Sequence, residues 1–202
     1  MSLFRKIFGP KSSSSHEEIP SDERSKYMPD IKLPIDERFT INFKANGGKF
    51  LYCEDFDEVD ENLRLILEEN GWQNENVLLL DDRLGEKFKA FNLRATKNTN
   101  NCGYFLTTCE YLISNDGSLL ISSNQIAEKK LKELPRNFVI FATTSQFVET
   151  ISEGLRGIKD RNREKIPTNI TTIKHFKASE DNDFLSYGSS SKNLYLLLLE
   201  DL

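Results

Sequence analysis

The chain is poor in residues that bind metals or form disulfides. Its 202 residues include three cysteines and two histidines, and no two cysteines form a Cys-x-x-Cys motif. Structural zinc and iron–sulfur clusters need three or four such ligands at close spacing, whereas only Cys102 and Cys109 lie near each other in the sequence. An odd number of cysteines cannot pair completely within one chain. We therefore expect reduced thiols, no metal site and no intrinsic cofactor.

Long apolar runs and an excess of positive charge are also absent. No segment approaches the roughly 18 apolar residues of a transmembrane helix, and the N-terminal MSLFRKIFGP lacks the apolar stretch of a secretory signal. The 27 Lys and Arg are outnumbered by 32 Asp and Glu, so little positive charge remains to neutralise nucleic-acid phosphates. These features predict a cytoplasmic protein with no stable membrane insertion and no nucleic-acid partner.

The first 33 residues differ in composition from the rest of the chain. They combine a short amphipathic stub, with Leu3, Phe4, Ile7 and Phe8, and a linker rich in Ser, Pro and charge. The stub could dock a partner or graze a membrane, but so short a helix is marginal in water, and the linker has too little apolar surface to fold alone. We favour an inert terminus and predict a flexible segment over 1–33 followed by one α/β domain over 34–202.

Apolar runs of strand length alternate with segments of helical period from about residue 49 onward. A helix is indicated by apolar residues at three- and four-residue spacing between Phe56 and Leu67. Alternation of this kind is typical of a wound α/β domain. The strands predicted for its sheet cover residues 49–53, 77–80, 103–106, 137–142 and 193–199.

Two further patterns refine this prediction. Apolar runs at 111–114 and 118–122 flank Asn115-Asp116-Gly117, which favours a hairpin and therefore a mixed, mostly parallel sheet. After the strand at 137–142, the hydroxyl-rich Thr143-Thr144-Ser145 is expected to cap a helix that carries Phe147 and Val148 and continues to Ile158.

Polar loops are the candidate ligand-binding regions, because ligands of wound α/β sheets lie beyond the carboxyl ends of strands. Three loops, at 107–110, 115–118 and 186–193, are rich in small or hydroxyl side chains. The predicted ligand-binding residues in them are Thr107, Thr108, Asn115, Gly117, Ser118, Gly188, Ser189, Ser190, Ser191, Lys192 and Asn193.

The last of these loops is the most suggestive. Gly188 frees the backbone, the three serines after it offer donors, and Lys192 could neutralise a phosphate or carboxylate. The loop does not match the P-loop pattern. Gly/Ser-rich loops before a strand are more often plain connections, and that interpretation stays open.

Few residues are candidates for catalysis. Glu110 and Asp116 could act as a general acid or base if they face one pocket, although solvated carboxylates are commoner in so acidic a chain. Cys109 has no histidine nearby in the sequence, which favours a buried, inert thiol over a nucleophile. His175, beside apolar neighbours, is expected to pack at the surface edge and not to ligate a metal.

Several C-terminal segments carry motifs that occur in the same order in a known protein family. CEYLISNDGSLLISS resembles the family's strand, Glu-Thr-Gly-Thr and second strand, and LPRNFVI resembles its Leu-Pro-x-x-His before an aliphatic strand. Ser145-Gln146-Phe147-Val148 stands where the family has Ser-Gln-Ile-Val, and GSSSKNLYLLLLED is similar to its closing Gly-Pro-x-x-Leu-x-Val-x-Leu-Leu-Asp. These motifs cover residues 100–202, and together they resemble those of the LUD-domain family of lactate-utilisation protein C.

Polar family residues are altered in this chain. Asn115 and Asp116 stand where the motif has Glu and Thr, Ser118 replaces Thr, and Phe138 stands at the His. The family's Gly-Pro-Ser-Arg-Thr segment has no counterpart near residues 174–177. An asparagine cannot replace a carboxylate in acid–base catalysis, so the resemblance is to a divergent member.

The resemblance implies a three-layer α/β/α fold with a mixed, mostly parallel sheet, similar to the ribose-phosphate isomerase and CoA-transferase superfamily. It also implies an accessory role in L-lactate utilisation, beside iron–sulfur partner proteins that oxidise lactate to pyruvate. Two alternatives remain open, and whether the chain is an enzyme is open with them. One is a stand-alone binding protein or enzyme for an anionic small molecule, such as a sugar phosphate or CoA ester; the other is a non-enzymatic interaction module.

Overall fold

The computed structural model describes residues 33–176 and 192–201. Its α-helices are α1 Ile35–Ala45, α2 Phe56–Glu69, α3 Asp82–Lys87, α4 Ser123–Ile126 and α5 Ile151–Arg161. Its strands are β1 Lys49–Cys53, β2 Asn76–Leu78, β3 Arg94–Thr96, β4 Tyr104–Thr108, β5 Tyr111–Ile113, β6 Ser118–Ile121, β7 Asn137–Thr143, β8 Phe147–Val148, β9 Thr171–Ile173 and β10 Asn193–Leu199. Within these ranges each helix is too short or too polar to span a bilayer.

A six-stranded sheet forms the centre of the fold. Its strand order is β1-β10-β7-β4-β2-β3, and every neighbouring pair is parallel. The central strands β10 and β7 are buried along nearly their whole length, which explains why they read as continuous apolar runs. The α/β class, the mostly parallel sheet and the three-layer fold with flanking helices are thereby confirmed.

One face of this sheet is covered by α2. The apolar stripe of the helix, which includes Val59, Leu63 and Ile66, belongs to one buried cluster with Tyr104 of β4 and Tyr195 of β10. Asp55 caps the helix by accepting a hydrogen bond from the backbone N–H of Glu58. The predicted helix is confirmed.

The antiparallel pairing expected from the Asn115-Asp116-Gly117 turn lies in a separate sheet. This second sheet has four strands in the order β8-β5-β6-β9. β5 and β6 form the predicted hairpin, β9 pairs antiparallel with β6, and β8 pairs parallel with β5. Among the described strands, antiparallel pairing thus occurs in the second sheet, which is itself mixed.

The start predicted for the helix after Thr143-Thr144-Ser145 is wrong. The side chain of Gln146 accepts a hydrogen bond from the N–H of Thr143 at 2.8 Å and closes a 3-10 turn over Thr144–Gln146. Phe147–Val148 then forms β8, and α5 begins only at Ile151, with Thr150 as its N-cap. The apolar spacing of Phe147, Val148 and Ile151 also fits a helix, so periodicity alone placed the boundary too early.

The helix α1 was not predicted from the sequence. Its buried residues Phe39 and Phe43 stack at 5.3 Å between ring centroids. Phe43 also contacts the ring of Phe176 at 4.8 Å, and Phe39 contacts Phe147 of β8 at 5.2 Å. Two aromatic residues four positions apart are a weak signal in an otherwise polar segment, yet they join this helix to the second sheet.

Candidate functional site

The structure places the predicted loops at different parts of the fold. Thr107 and Thr108 end β4 at the carboxyl edge of the parallel sheet, whereas Lys192 and Asn193 lie at the amino end of β10. The turn at 115–118 belongs to the second sheet. Gly188, Ser189, Ser190 and Ser191 lie outside the described residues. The candidate residues that the structure describes therefore do not form one site at the carboxyl edge.

Asp116 stabilises the hairpin turn between β5 and β6. Its Oδ1 accepts hydrogen bonds from the N–H of Ser118 at 3.1 Å and from the Ser118 hydroxyl at 2.7 Å. Its Oδ2 lies 3.4 Å from the ammonium of Lys174. The carboxylate thus has partners within the protein on both oxygens, an arrangement typical of a structural Asx turn.

The tip of this hairpin is held by α1. The side-chain amide of Asn42 donates to the carbonyls of Ser114 at 2.8 Å and Asn115 at 3.2 Å, and that of Asn46 donates to the carbonyl of Asp116 at 2.7 Å. These bonds satisfy turn carbonyls that would otherwise need water. The altered family motif is therefore tied to the body of the domain through its backbone.

Glu110 is buried between the end of β4 and the C-terminal end of α5. Its Oε1 accepts hydrogen bonds from the hydroxyl of Ser122 at 2.7 Å and the amide of Asn124 at 2.9 Å. Its Oε2 accepts from the guanidinium of Arg161 at 3.2 Å, which also lies over the ring of Tyr111 at 4.6 Å. Both oxygens are hydrogen-bonded within the protein, as buried carboxylates require.

Glu110 and Asp116 share no hydrogen-bond partner. Glu110 contacts α4 and α5, whereas Asp116 contacts Ser118, Lys174 and, through its carbonyl, α1. A paired general acid and general base would both have to reach one substrate. The geometry gives both carboxylates structural partners in place of a shared pocket.

Cys109 is buried at the end of β4, and its predicted burial is confirmed. The amide of Gln146 donates to the Cys109 carbonyl at 2.6 Å and lies 3.8 Å from its sulfur. Desolvation by burial raises the pKa of the Cys109 thiol, the nearby charge of Glu110 raises it further, and Arg161 opposes this only in part. Because the thiolate is the nucleophile, such a thiol is unreactive at neutral pH.

Alkylation should distinguish the cysteines. Cys102 is partly exposed, whereas Cys53 is buried and desolvation raises its pKa to about 11. We expect iodoacetamide at about pH 8 to modify Cys102 first, although slowly because desolvation also raises its pKa. Cys53 and Cys109 should react only after unfolding in urea. Peptide mass mapping would check this, and rapid labelling of Cys109 in the native protein would contradict its burial.

No metal site emerges from the part of the chain that the structure describes. Across residues 33–176 and 192–201, no three His, Cys, Asp or Glu side chains are placed to hold a metal ion.

Lys192 is buried just before β10. Its ammonium donates hydrogen bonds to three backbone carbonyls, those of Leu131 at 2.7 Å, Leu134 at 3.1 Å and Pro135 at 3.0 Å. It also lies 5.1 Å from the ring centroid of Phe138. An ammonium has three N–H groups, so these carbonyls occupy its full donor capacity. These bonds tie β10 to the segment before β7.

Asn193 extends the same structural role along the amino edge of the sheet. Its side-chain amide donates to the side-chain oxygen of Asn137 at 3.2 Å, and the amide of Asn137 donates to the carbonyl of Gly103 at 2.8 Å. These two hydrogen bonds therefore link the first residue of β10 to the first residue of β7, and that residue to the one before β4.

A carboxylate that was not predicted lies at the opposite edge. Asp201 accepts hydrogen bonds from the hydroxyl of Thr144 at 2.9 Å, the N–H of Ser145 at 2.8 Å and the hydroxyl of Ser145 at 2.7 Å. Partial burial raises the pKa of Asp201, but the hydrogen bonds from Ser145 and its neighbours outweigh this and hold that pKa below its usual value. These bonds tie the end of β10 to the end of β7.

A cavity of about 560 Å³ opens beside β9 and was not predicted either. Its lining comes from two segments, residues 126–132 and residues 169–175. It includes Leu131, whose carbonyl accepts from Lys192, and Lys174, which pairs with Asp116. His175 lies exposed at its edge, and the carbonyl of His175 accepts from the N–H of Lys192 at 3.1 Å. Two predicted site residues thus lie next to one cavity without lining it.

Comparisons with known proteins identify the family. The sequence model of the LUD domain matches residues 37–199, while no curated protein matches the chain. A crystal structure of a DUF162 family protein from Deinococcus radiodurans is similar, with a TM-score of 0.59 and 14% sequence identity, over 83% of this chain and 96% of that chain. At that identity the structural match shows the fold, and the sequence match shows the family. The chain belongs to the LUD domain family.

Proposed function

We propose that this protein is an accessory, non-catalytic component of L-lactate utilisation, in which iron–sulfur partner proteins oxidise lactate to pyruvate. Membership of the LUD domain family supports a role related to lactate utilisation. The observation that carries the non-catalytic part is the hydrogen bonding of Glu110, whose two oxygens are both held by side chains of the same chain.

Lactate oxidation sets a clear chemical requirement. Conversion of the secondary alcohol to a ketone removes two protons and two electrons, so it needs a base at the hydroxyl and an electron acceptor. In this proposal the partner proteins supply both, and their clusters receive the electrons.

The altered motif at residues 115–118 supports the assignment of the base to a partner protein. Asn115, at the family's glutamate position, has an amide that cannot take a proton at neutral pH. Asp116 is held by Ser118 and Lys174. Neither residue is available as a base in the arrangement described.

Growth on L-lactate tests the proposal. Deleting the gene from its host should abolish growth on L-lactate as sole carbon source while leaving growth on pyruvate unchanged. The wild-type chain should restore growth, and so should the Glu110→Gln/Asp116→Asn double variant, because each amide keeps one acceptor oxygen, for Ser122 or Ser118, and loses only the ion pair with Arg161 or Lys174. The purified chain alone should not reduce a dye in the presence of L-lactate.

Two outcomes would contradict the proposal. Undiminished growth of the deletion strain on L-lactate would overturn the role in lactate utilisation. A double variant with normal thermal unfolding that fails to restore growth would overturn the non-catalytic part, because the carboxylates would then be needed for chemistry.

A further inference from the structure

The cavity beside β9 concentrates positive charge in an acidic protein. Its charged side chains are Lys130, Lys132 and Lys174, and among the described residues no Asp or Glu lines it. In the whole chain, acidic residues outnumber Lys and Arg by 32 to 27. A concave surface lined by one sign of charge raises the local concentration of the opposite ion. We refer to this feature as the basic cavity.

The walls of the basic cavity are fixed by the fold. Ile126 and Ile173 are buried and contribute apolar lining. Asn169 has a left-handed backbone conformation with φ of 50°, and its side-chain amide donates to the carbonyls of Ala127 at 3.0 Å and Lys129 at 2.8 Å. These bonds join the two lining segments, so the cavity is formed before any ligand binds.

The lysines differ in how they are paired. Lys130 and Lys132 form no ion pair with any described residue, whereas Lys174 lies 3.4 Å from Asp116 in a partly exposed pair. Exposed pairs of this kind are weak and are screened by salt. A bound anion can therefore compete with Asp116 for Lys174.

We propose that the basic cavity is a binding site for a phosphomonoester, such as a small sugar phosphate. A phosphomonoester carries about two negative charges at neutral pH and has three strong acceptor oxygens. Lysines bind phosphate as point charges, and no arginine is among the described lining residues. Thr171 and Thr172 add hydroxyl groups to the same wall.

The size of the cavity fits this ligand class. At about 560 Å³ it falls within the range of roughly 300 to 1,000 Å³ that small-molecule sites occupy. Neither Glu110 nor Asp116 lines this cavity, and the inference does not depend on the role in lactate utilisation.

Calorimetric titration of the full chain with glucose 6-phosphate tests the inference, with glucose and L-lactate as comparison ligands. We expect saturable binding of the phosphomonoester that weakens as salt is raised, and no binding of glucose. Lys130→Gln/Lys132→Gln should weaken binding at least tenfold. Lys159→Gln/Lys165→Gln, which removes the same charge outside the cavity lining, should have little effect.

A third variant sharpens the test. Asp116→Asn keeps an acceptor oxygen for the turn but removes the carboxylate that competes for Lys174, so binding should tighten about two- to fivefold, as expected for an exposed pair. Inorganic phosphate that binds as tightly as the ester would support the anion site with free phosphate as its ligand.

Three results would overturn the inference. The first is that neither phosphate binds at millimolar concentration. The second is that the two double-lysine variants lose equal affinity for the ester. The third is that L-lactate binds as strongly as the ester. Each is independent of growth on lactate, so failure of this inference leaves the proposed function intact.

Discussion

Gly117→Ala is expected to lower the free energy of unfolding by about 3 kcal/mol or more, from a left-handed backbone and overpacking together. Gly117 has φ of +67°, which favours glycine, and a Cβ there would lie 2.3 Å from the backbone nitrogen of Phe43 and 2.4 Å from the carbonyl carbon of Asn42. Both atoms belong to the backbone of α1, so relief would require moving the whole helix. The close approach leaves room only for hydrogen.

Gly71→Ala is the matched control. Gly71 also has φ of +67°, but a Cβ there would meet nothing within 4 Å. Its substitution should therefore cost only the conformational penalty, about 1 kcal/mol. Urea unfolding of both variants would separate the two contributions. Equal losses of stability would contradict the packing of α1 on the hairpin.

The turn at Gly117 also shows which structural features local sequence patterns can predict. The Asn115-Asp116-Gly117 turn was predicted because turn chemistry is encoded by adjacent residues. The packing of α1 against it was not predicted, since Asn42 and Asn46 contact carbonyls more than 65 residues away in the sequence. The pattern specified the turn, and only the tertiary fold specified its partner.

The boundary after β7 illustrates a second limit. Phe147 and Val148 fit a helical period together with Ile151, yet they form a strand because β5 offers a parallel partner. Whether such a short apolar pair becomes helix or strand depends on which backbone lies beside it.

The placement of the predicted site residues depends on the tertiary fold in the same way. Strand positions in the sequence were predicted well, but the edge of the sheet on which each loop lies follows from whether the loop begins or ends its strand. Lys192 directly precedes β10 and so lies at the amino edge, opposite Thr108. The basic cavity was missed because Lys130 and Lys174 become neighbours only when β9 pairs with β6.

Lys192→Met is expected to lower the free energy of unfolding by about 2 to 4 kcal/mol. It would leave three carbonyls without their donor, and each buried, unpaired polar group costs about 1 to 3 kcal/mol. Methionine needs no desolvation of a charge, which offsets part of that cost. Lys132→Met, at an exposed position, is the control and should change stability by no more than about 0.5 kcal/mol. Equal effects would contradict the carbonyl contacts.

The same variant should remove a pH dependence. Desolvation by burial, with a smaller effect from the charge of Arg136, lowers the pKa of Lys192 to about 8, whereas an unfolded lysine titrates near 10.4. Between these values the unfolded chain binds more protons at this residue, so its contribution makes stability rise with pH. Urea unfolding at about pH 7.5 and pH 9.5 should show that the free energy of unfolding of the wild type increases with pH relative to that of Lys192→Met. No relative gain would contradict the lowered pKa.

These expectations bear on how Lys192 is interpreted as a site residue. Loss of ligand binding in a Lys192 variant would follow from displacement of the Leu131 segment, which lines the basic cavity, even without any contact between Lys192 and the ligand. Lys130 and Lys132 are free of that ambiguity, because their side chains are exposed and form no ion pair with a described residue. A binding defect in the Lys130→Gln/Lys132→Gln variant with unchanged unfolding therefore reports on the ligand, whereas a defect in Lys192→Met reports first on the fold.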